Sequence, residues 1–316
     1  MNRRDFLAAS AALAAGTALG ASTTNSTGTA TAKATPKEKP YVPPKLVPPL
    51  VGSQLYVWGQ YYERAGKKLG DHMDEVFSTL RDAGYDYAEG NLDVGTPENN
   101  AKLAERLKLK GLKPVSLYTG GALHVLGKAS ETAERITVAA KEAAKAGFGI
   151  INFNPDPIGR DKTDKELAIQ ADALNELGDE LKAIGVKLGI HHHTPELRNG
   201  AKEFHSNFTL CPEATVGFCY DVHWVFRGGI QPADCLHQYG KRVVSWHLRQ
   251  SRSQIWWEDL DSGDIDYAAV AAFAAQNRLP QFYTVELALE GGTKITRDVV
   301  ENHALSRKYV QKIFGV

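Results

Sequence analysis

From residue 50 onward, short runs rich in β-branched and aromatic residues alternate with longer segments whose apolar residues recur every three or four positions. The first pattern predicts strands and the second predicts amphipathic helices. Strand runs fall at 54–58, 85–89, 114–118, 149–153, 187–191, 215–220, 243–247 and 282–286. Helical patterns fall at 71–83, 98–110, 130–146, 164–184, 232–239, 267–276 and 297–313; the first of these carries Met73, Val76, Phe77 and Leu80 on one face. Gly84, Gly111, Gly147 and Gly185 each stand just past a helical pattern, where a left-handed residue ends the last turn and a Cβ is penalised. Strand and helix therefore repeat as βα units with a common αβ joint. Eight such units predict an α/β fold, a (β/α)8 barrel in a single domain over residues 50–316, close to the usual length of about 250 residues. A doubly wound open sheet would use the same alternation. It loses weight because no GxGxxG follows the first strand and no GxxxxGK phosphate loop occurs in the chain.

The first 49 residues break this pattern. Arg3-Arg4 precede Asp5-Phe6-Leu7 and an Ala/Leu/Gly stretch ending near Ala21, the arrangement of a twin-arginine export signal over residues 1–21. Residues 22–49 are rich in Ser, Thr and Pro and read as a linker that buries no core. Export to the periplasm follows as an expectation. No cysteine near the cleavage position supports a lipid anchor and no apolar run in the body is long enough to span a bilayer, so no stable membrane anchor is expected.

Composition narrows the function further. Lys and Arg number 37 against 37 Asp and Glu, which removes the cationic surplus that a nucleic-acid binder uses against phosphates. Three cysteines without a CxxC pair argue against a disulfide framework or a thiolate metal site. No GxSxG nucleophile elbow is present.

Candidate chemistry lies at the strand ends, where barrel active sites are built. The second strand ends in Glu89. The fifth ends in His191-His192-His193, followed by Glu196; the sixth leads into Asp221 and His223; the seventh ends in His247 and the eighth in Glu286. Alternation along a strand puts His191 and His193 on one side with His192 opposite, and puts Asp221 and His223 together. His191, Asp221, His247 and Glu286 thus offer a metal-type donor from four successive strands. Mixed imidazole and carboxylate donors suit Mn²⁺, Co²⁺, Fe²⁺, Ni²⁺ or Zn²⁺.

These residues also carry a family resemblance. Val216-Gly217-Phe218-Cys219-Tyr220-Asp221-Val222-His223-Trp224, then Gly229 and Pro232, Val243-Val244-Ser245-Trp246-His247-Leu248-Arg249-Gln250, Gly263-Asp264-Ile265-Asp266-Tyr267 and Thr284-Val285-Glu286 occur in this order. As a set they resemble the xylose isomerase-like TIM-barrel family of sugar isomerases and epimerases, including its inosose dehydratase branch. The resemblance implies one divalent ion at the barrel mouth, with Asp221, His247 and Glu286 on ligand positions. Where the epimerase branch has a Glu on the fifth strand this chain has a His run, so the fourth ligand is assigned to His191, with His193 second. The Lys-Asp that follows the seventh-strand His in the family is Arg249-Gln250 here.

The implied activity is proton abstraction next to a carbonyl of an unphosphorylated sugar, ending in isomerisation or epimerisation. A lyase of the same fold, acting as a dehydratase or keto-glycoside eliminase, and a non-catalytic sugar-binding barrel are the alternatives. Glu286 is the main base, with His193, Glu196 or Glu89 as the second acid/base group. Glu89, His223, Arg252 and Trp58 are the expected substrate contacts. The partner is a small carbohydrate and not a nucleic acid, and association into a homo-oligomer stays open.

Overall fold

The computed structural model describes residues 48–316; the expected signal and all but the last two residues of the expected linker lie outside the described residues. Eight parallel strands close into a barrel: β1 (Leu50–Gln54), β2 (Tyr87–Asn91), β3 (Ser116–Gly121), β4 (Ile150–Pro155), β5 (Lys187–Ile190), β6 (Val216–Asp221), β7 (Val243–Leu248) and, after a small hairpin, β10 (Phe282–Val285). Consecutive strands are neighbours, and β1 pairs with β10 through Leu50↔Phe282 to Ser53↔Val285 to close the ring. The hairpin consists of β8 (Ser251–Arg252) and β9 (Ile255–Trp256), paired antiparallel.

Helices cover the outside: α1 (Tyr56–Arg64), α2 (Met73–Asp82), α3 (Glu98–Leu109), α4 (Lys128–Ala146), α5 (Asp164–Ala183), α6 (Arg198–Thr209), α7 (Val222–Arg227), α8 (Pro232–Tyr239), α9 (Tyr267–Gln276) and α10 (Val299–Phe314). Thr163 and Glu166 form a reciprocal capping box at the start of α5, satisfying two backbone donors that a helix start leaves free. Gly84, Gly111, Gly147 and Gly185 all have positive φ, so the four αβ joints take the conformation their sequence foretells.

Inside the barrel, the strand starts are plugged by Tyr87, Val115 and Ile150, packed with Leu50, Val244 and Phe282. Glycines let this plug and the layer above it close up. A Cβ on Gly52 would stand 2.1 Å from the Tyr87 ring, and one on Gly189 would stand 2.8 Å from both Asn152 Oδ1 and Val244 Cγ2. Above the plug the interior turns polar, with Glu89, Ser116, Asn152 and Ser245 all buried and hydrogen-bonded to one another.

Three elements differ from expectation. The first strand runs over Leu50–Gln54, four residues earlier than the aromatic run that predicted it, and that run opens α1 instead. Helix α6, which none of the predicted helical patterns covers, contains a bend at Asn199, Gly200 and Ala201, all left-handed. Helix α7 begins at Val222, directly after Asp221, whose Oδ1 accepts the Trp224 N–H at 2.8 Å and caps the helix.

Candidate active site and metal centre

A cleft of about 960 Å³ opens at the C-terminal ends of the strands. Its floor carries His191, His247 and Glu286, and Tyr118, His193, Trp224, Arg249 and Trp256 stand among its walls. Leu55, Leu69, Met73 and Leu103 make a more apolar end. His191, Asp221, His247 and Glu286 each turn a donor atom inward, and these four atoms all lie within 4.8 Å of one another, with every residue buried. Donors about 2.0–2.2 Å from a divalent ion stand roughly 3–4.4 Å from each other, so the cluster is within a few tenths of an ångström of that span.

Charge and hydrogen bonding make the set more specific. Arg249, itself buried, places Nη2 2.7 Å from Asp221 Oδ2 and 2.9 Å from Glu286 Oε1. Burial alone raises a carboxylate pKa, but Arg249 and His247 hold Glu286 down at about 2, and Arg249 and His191 hold Asp221 well below the usual range. Both are therefore carboxylates at neutral pH.

His191 Nδ1 lies 3.2 Å from Asn154 Oδ1, and the Asn154 amide donates to Pro155 O, which turns its oxygen toward the ring. Nδ1 then carries the hydrogen, and Nε2 presents its lone pair on the Asp221 side, 3.3 Å from Oδ2. His247 sits between two carboxylates, with Nδ1 2.7 Å from Glu286 Oε2 and Nε2 2.7 Å from Glu89 Oε1. Burial disfavours its cation, yet Cys219, Glu89 and Glu286 outweigh that and raise its pKa well above the ordinary value.

Neither close contact of His247 is aligned as a hydrogen bond. Both ring nitrogens, Glu286 Oε2 and Glu89 Oε1 are buried without an aligned partner. Unsatisfied buried polar atoms are costly. An ion at the centre relieves that cost for the inward atoms, and two imidazoles with two carboxylates are a donor set for a transition-type divalent metal. The residues present fit such an ion.

The remaining sequence candidates divide. His193 reaches the cleft, its ring 4.7 Å from that of His191 and 5.2 Å from that of Trp224. Burial and His191 depress its pKa to about 3, so it is neutral at pH 7. His192 faces the other way, packed on Phe204, Phe208 and Phe218, as strand alternation requires. Glu196 turns back to accept the His193 backbone N–H at 2.7 Å and is absent from the cleft wall. Glu89 borders the cleft floor, but its oxygens face Ser116, Asn152 and His247, which leaves none directed at a substrate.

His223 was expected beside Asp221. Because the strand gives way to helix at Val222, period-two alternation stops there; His223 is buried against Phe226 and Trp256, and Trp224 takes the cleft position. Trp58 lies on the core side of α1, donating to Ser53 Oγ and packed on His303, away from the cleft. Arg252, on the hairpin, stacks over Trp257, donates to Ser262 O and lies 3.5 Å from Asp261, also outside the cleft.

Sequence reasoning passed over Arg249, Trp224 and Tyr118. Arg249 had a signal, since it stands two residues after His247 and shares its side of the strand. Trp256 reaches the cleft on a hairpin turned by left-handed Ser253 and Gln254 without a glycine. That hairpin is held by Asp264, which accepts from Ser251 Oγ, Ser253 N and Gln254 N. Gln250 bonds Ser251, Asp261 and Ile265, so both of its amide atoms serve the loop.

Fold and site together define a (β/α)8 barrel that gathers a buried His/Asp/His/Glu cluster at its mouth. The chain belongs to the xylose isomerase-like TIM barrel family, whose profile matches residues 77–308, and residues 1–20 match the twin-arginine translocation signal, which points to export. An inosose dehydratase from Geobacillus kaustophilus (strain HTA426) is 24% identical over 204 residues, covering 59% of this chain and 65% of the dehydratase. Among solved structures, a sugar phosphate isomerase/epimerase from Parabacteroides distasonis ATCC 8503 superposes with a TM-score of 0.68 at 19% identity, covering 86% of this chain and 96% of its own. The 3-keto-D-glucoside 4-epimerase of E. coli superposes with a TM-score of 0.62 at 14% identity, covering 83% and 98%. Among the described residues no helix is long and apolar enough to cross a membrane.

Proposed function

We propose that this protein is a divalent-metal-dependent sugar isomerase or epimerase of the periplasm, acting on an unphosphorylated sugar or keto-sugar by removing a proton next to a carbonyl. The convergence of His191, Asp221, His247 and Glu286 on one buried point at the cleft floor carries the reading. These four would hold the ion, which supplies Lewis-acid polarisation of a substrate oxygen and so acidifies the neighbouring C–H. Glu286, ionised at neutral pH, takes that proton; isomerisation follows when it is returned to the neighbouring carbon, and epimerisation when a second group delivers a proton to the opposite face of the same carbon. Arg249 keeps Glu286 charged and aimed while adding positive potential beside the developing enediolate. His193, neutral and in the cleft wall, offers one N–H and one lone pair to a substrate hydroxyl and relays a proton between substrate oxygens. Trp224, half-buried in that wall, gives it an apolar surface suited to a sugar ring, with Trp256 packed behind it.

The preference for an unphosphorylated substrate has two supports. Among the described residues, Arg249 is the one Lys or Arg that lines the cleft, and it is already bound to two carboxylates, so none of these residues offers a free cation there for a phosphate. The twin-arginine signal also sends the chain away from the cytoplasmic pool of sugar phosphates. The similarity to an inosose dehydratase favours a second outcome from the same intermediate, loss of a β-hydroxyl or glycosidic oxygen.

Metal analysis of the purified protein beside Glu286→Gln tests the reading. About one divalent ion per chain is expected, bound more weakly in the variant, with solvent deuterium entering a keto-sugar at the carbon next to its carbonyl. A wild-type chain that takes up none of Mn²⁺, Co²⁺ or Zn²⁺ would sink it and favour the non-catalytic sugar-binding alternative.

A further inference from the structure

Glu89 is a fully buried side chain at the edge of the cleft floor, and neither proton transfer nor the donor cluster uses it. Its Oε2 accepts from Ser116 Oγ at 2.6 Å and from Asn152 Nδ2 at 2.7 Å. Ser245 Oγ donates to Asn152 Oδ1 at 2.7 Å, which fixes that amide with its NH₂ toward Glu89. The other oxygen, Oε1, has no aligned partner and lies 2.7 Å from His247 Nε2, itself without one. Every group around Glu89 is thus a donor or can become one, and the position calls for a side chain that only accepts. A carboxylate meets that requirement; a Gln would turn an NH₂ toward one of the donors.

We propose that Glu89 is the positioning residue for the His247 imidazole: it receives the Nε2–H and thereby commits Nδ1, the nitrogen beside Glu286, to the metal. The inference rests on the metal reading above. His191 is oriented in the same manner on the other side of the cluster, where Asn154 takes the Nδ1–H and frees Nε2. The two ligand imidazoles therefore bind through different nitrogens, and a neighbour on an earlier strand makes each choice. A carboxylate behind a ligand imidazole raises its basicity and fixes its ring; losing such a partner typically weakens metal binding about 10–100-fold.

The test uses the whole protein labelled with ¹⁵N-histidine and loaded with Zn²⁺, with the His247 signals assigned from their loss in His247→Asn. Long-range ¹H–¹⁵N correlations are expected to show a hydrogen on His247 Nε2 and none on Nδ1. Competition with a chelator should show Glu89→Gln binding Zn²⁺ about 10–100-fold more weakly, while the melting temperature of its metal-free form stays close to that of the wild type. A purely structural role would lower that melting temperature without a specific loss of affinity. A hydrogen on Nδ1 in the loaded wild type, or unchanged Zn²⁺ affinity in a folded Glu89→Gln, overturns the proposal. Should Glu89→Gln not fold, the wild-type spectrum decides by itself. A wild-type protein that takes up no Zn²⁺ overturns this proposal too, and the metal content tells that failure of the underlying reading apart from a wrong nitrogen.

Discussion

Strands β5, β6, β7 and β10 lead into His191, Asp221, His247 and Glu286, whereas β1 to β4 turn Gln54, Ser116, Asn152 and Asn154 inward with a single carboxylate, Glu89. The later arc holds the lone pairs and most of the charge. The earlier arc holds amides, hydroxyls and one anion that contact the later one, as Asn154 does His191 and Glu89 does His247. A donor cluster of this kind has two separable requirements: atoms able to bind, and neighbours that decide which atom points inward. The barrel divides the two requirements between its halves.

The hardest test of that division is Asp221→Ala. It deletes a donor, uncaps α7 and leaves the buried Arg249 with one carboxylate. Breaking a buried ion pair costs about 3–5 kcal/mol, and metal retention should vanish; urea unfolding and metal analysis read both. A stable, metal-loaded Asp221→Ala would break the comparison.

Acid should act next, and it acts mainly through histidines. His193 and His223 are held at about 3 and His303 at about 4 in the folded protein, so the unfolded chain binds more protons as pH falls below about 6.5. Their contribution is fully present above that pH and is lost on acidification toward the folded values, at most about 2–3 kcal/mol each by pH 4.5. Glu196, raised to about 7 by burial, works in the opposite sense, favouring the folded state as pH falls from 7 toward its unfolded value. Urea midpoints of the metal-free protein should therefore drop between pH 7 and 4.5, and those of Glu196→Gln should drop more steeply.

Asn154→Ala leaves every donor in place and removes only the acceptor that turns His191. Metal affinity should fall about tenfold, with little change in fold stability; an unchanged affinity would show that the earlier arc does not orient that ring. Arg252→Ala should do least, within about 0.5 kcal/mol of wild-type stability and with unaltered substrate KM, because the side chain faces Asp261 and Trp257 outside the cleft.

Much of this organisation is legible in the sequence because it rests on local rules. The four αβ glycines and the alternation of His191 with His192 follow from backbone periods, and the four strand-end donors come together in the barrel as their places along the chain suggest. The misplacements fall where local pattern changes meaning. Tyr56-Val57-Trp58 looks like strand but opens a helix, which takes Trp58 into the core. The switch from strand to helix at Val222 exchanges His223 for Trp224 at the cleft. Arg252 depends on a hairpin whose turn residues, Ser253 and Gln254, carry no glycine signal. The partners of Glu89 lie on other strands and depend on side-chain packing across the barrel, which one strand's pattern does not encode.

The barrel closes where its first strand meets its last, and Glu286 is the residue that follows that seam. During synthesis, β1 can pair with β2 early, but it must wait for every intervening strand before its closing partner β10 emerges. Ring closure and completion of the donor set therefore coincide. A chain cut short before Phe282 lacks both, so the ability to retain a metal would report that translation has reached the end of the barrel.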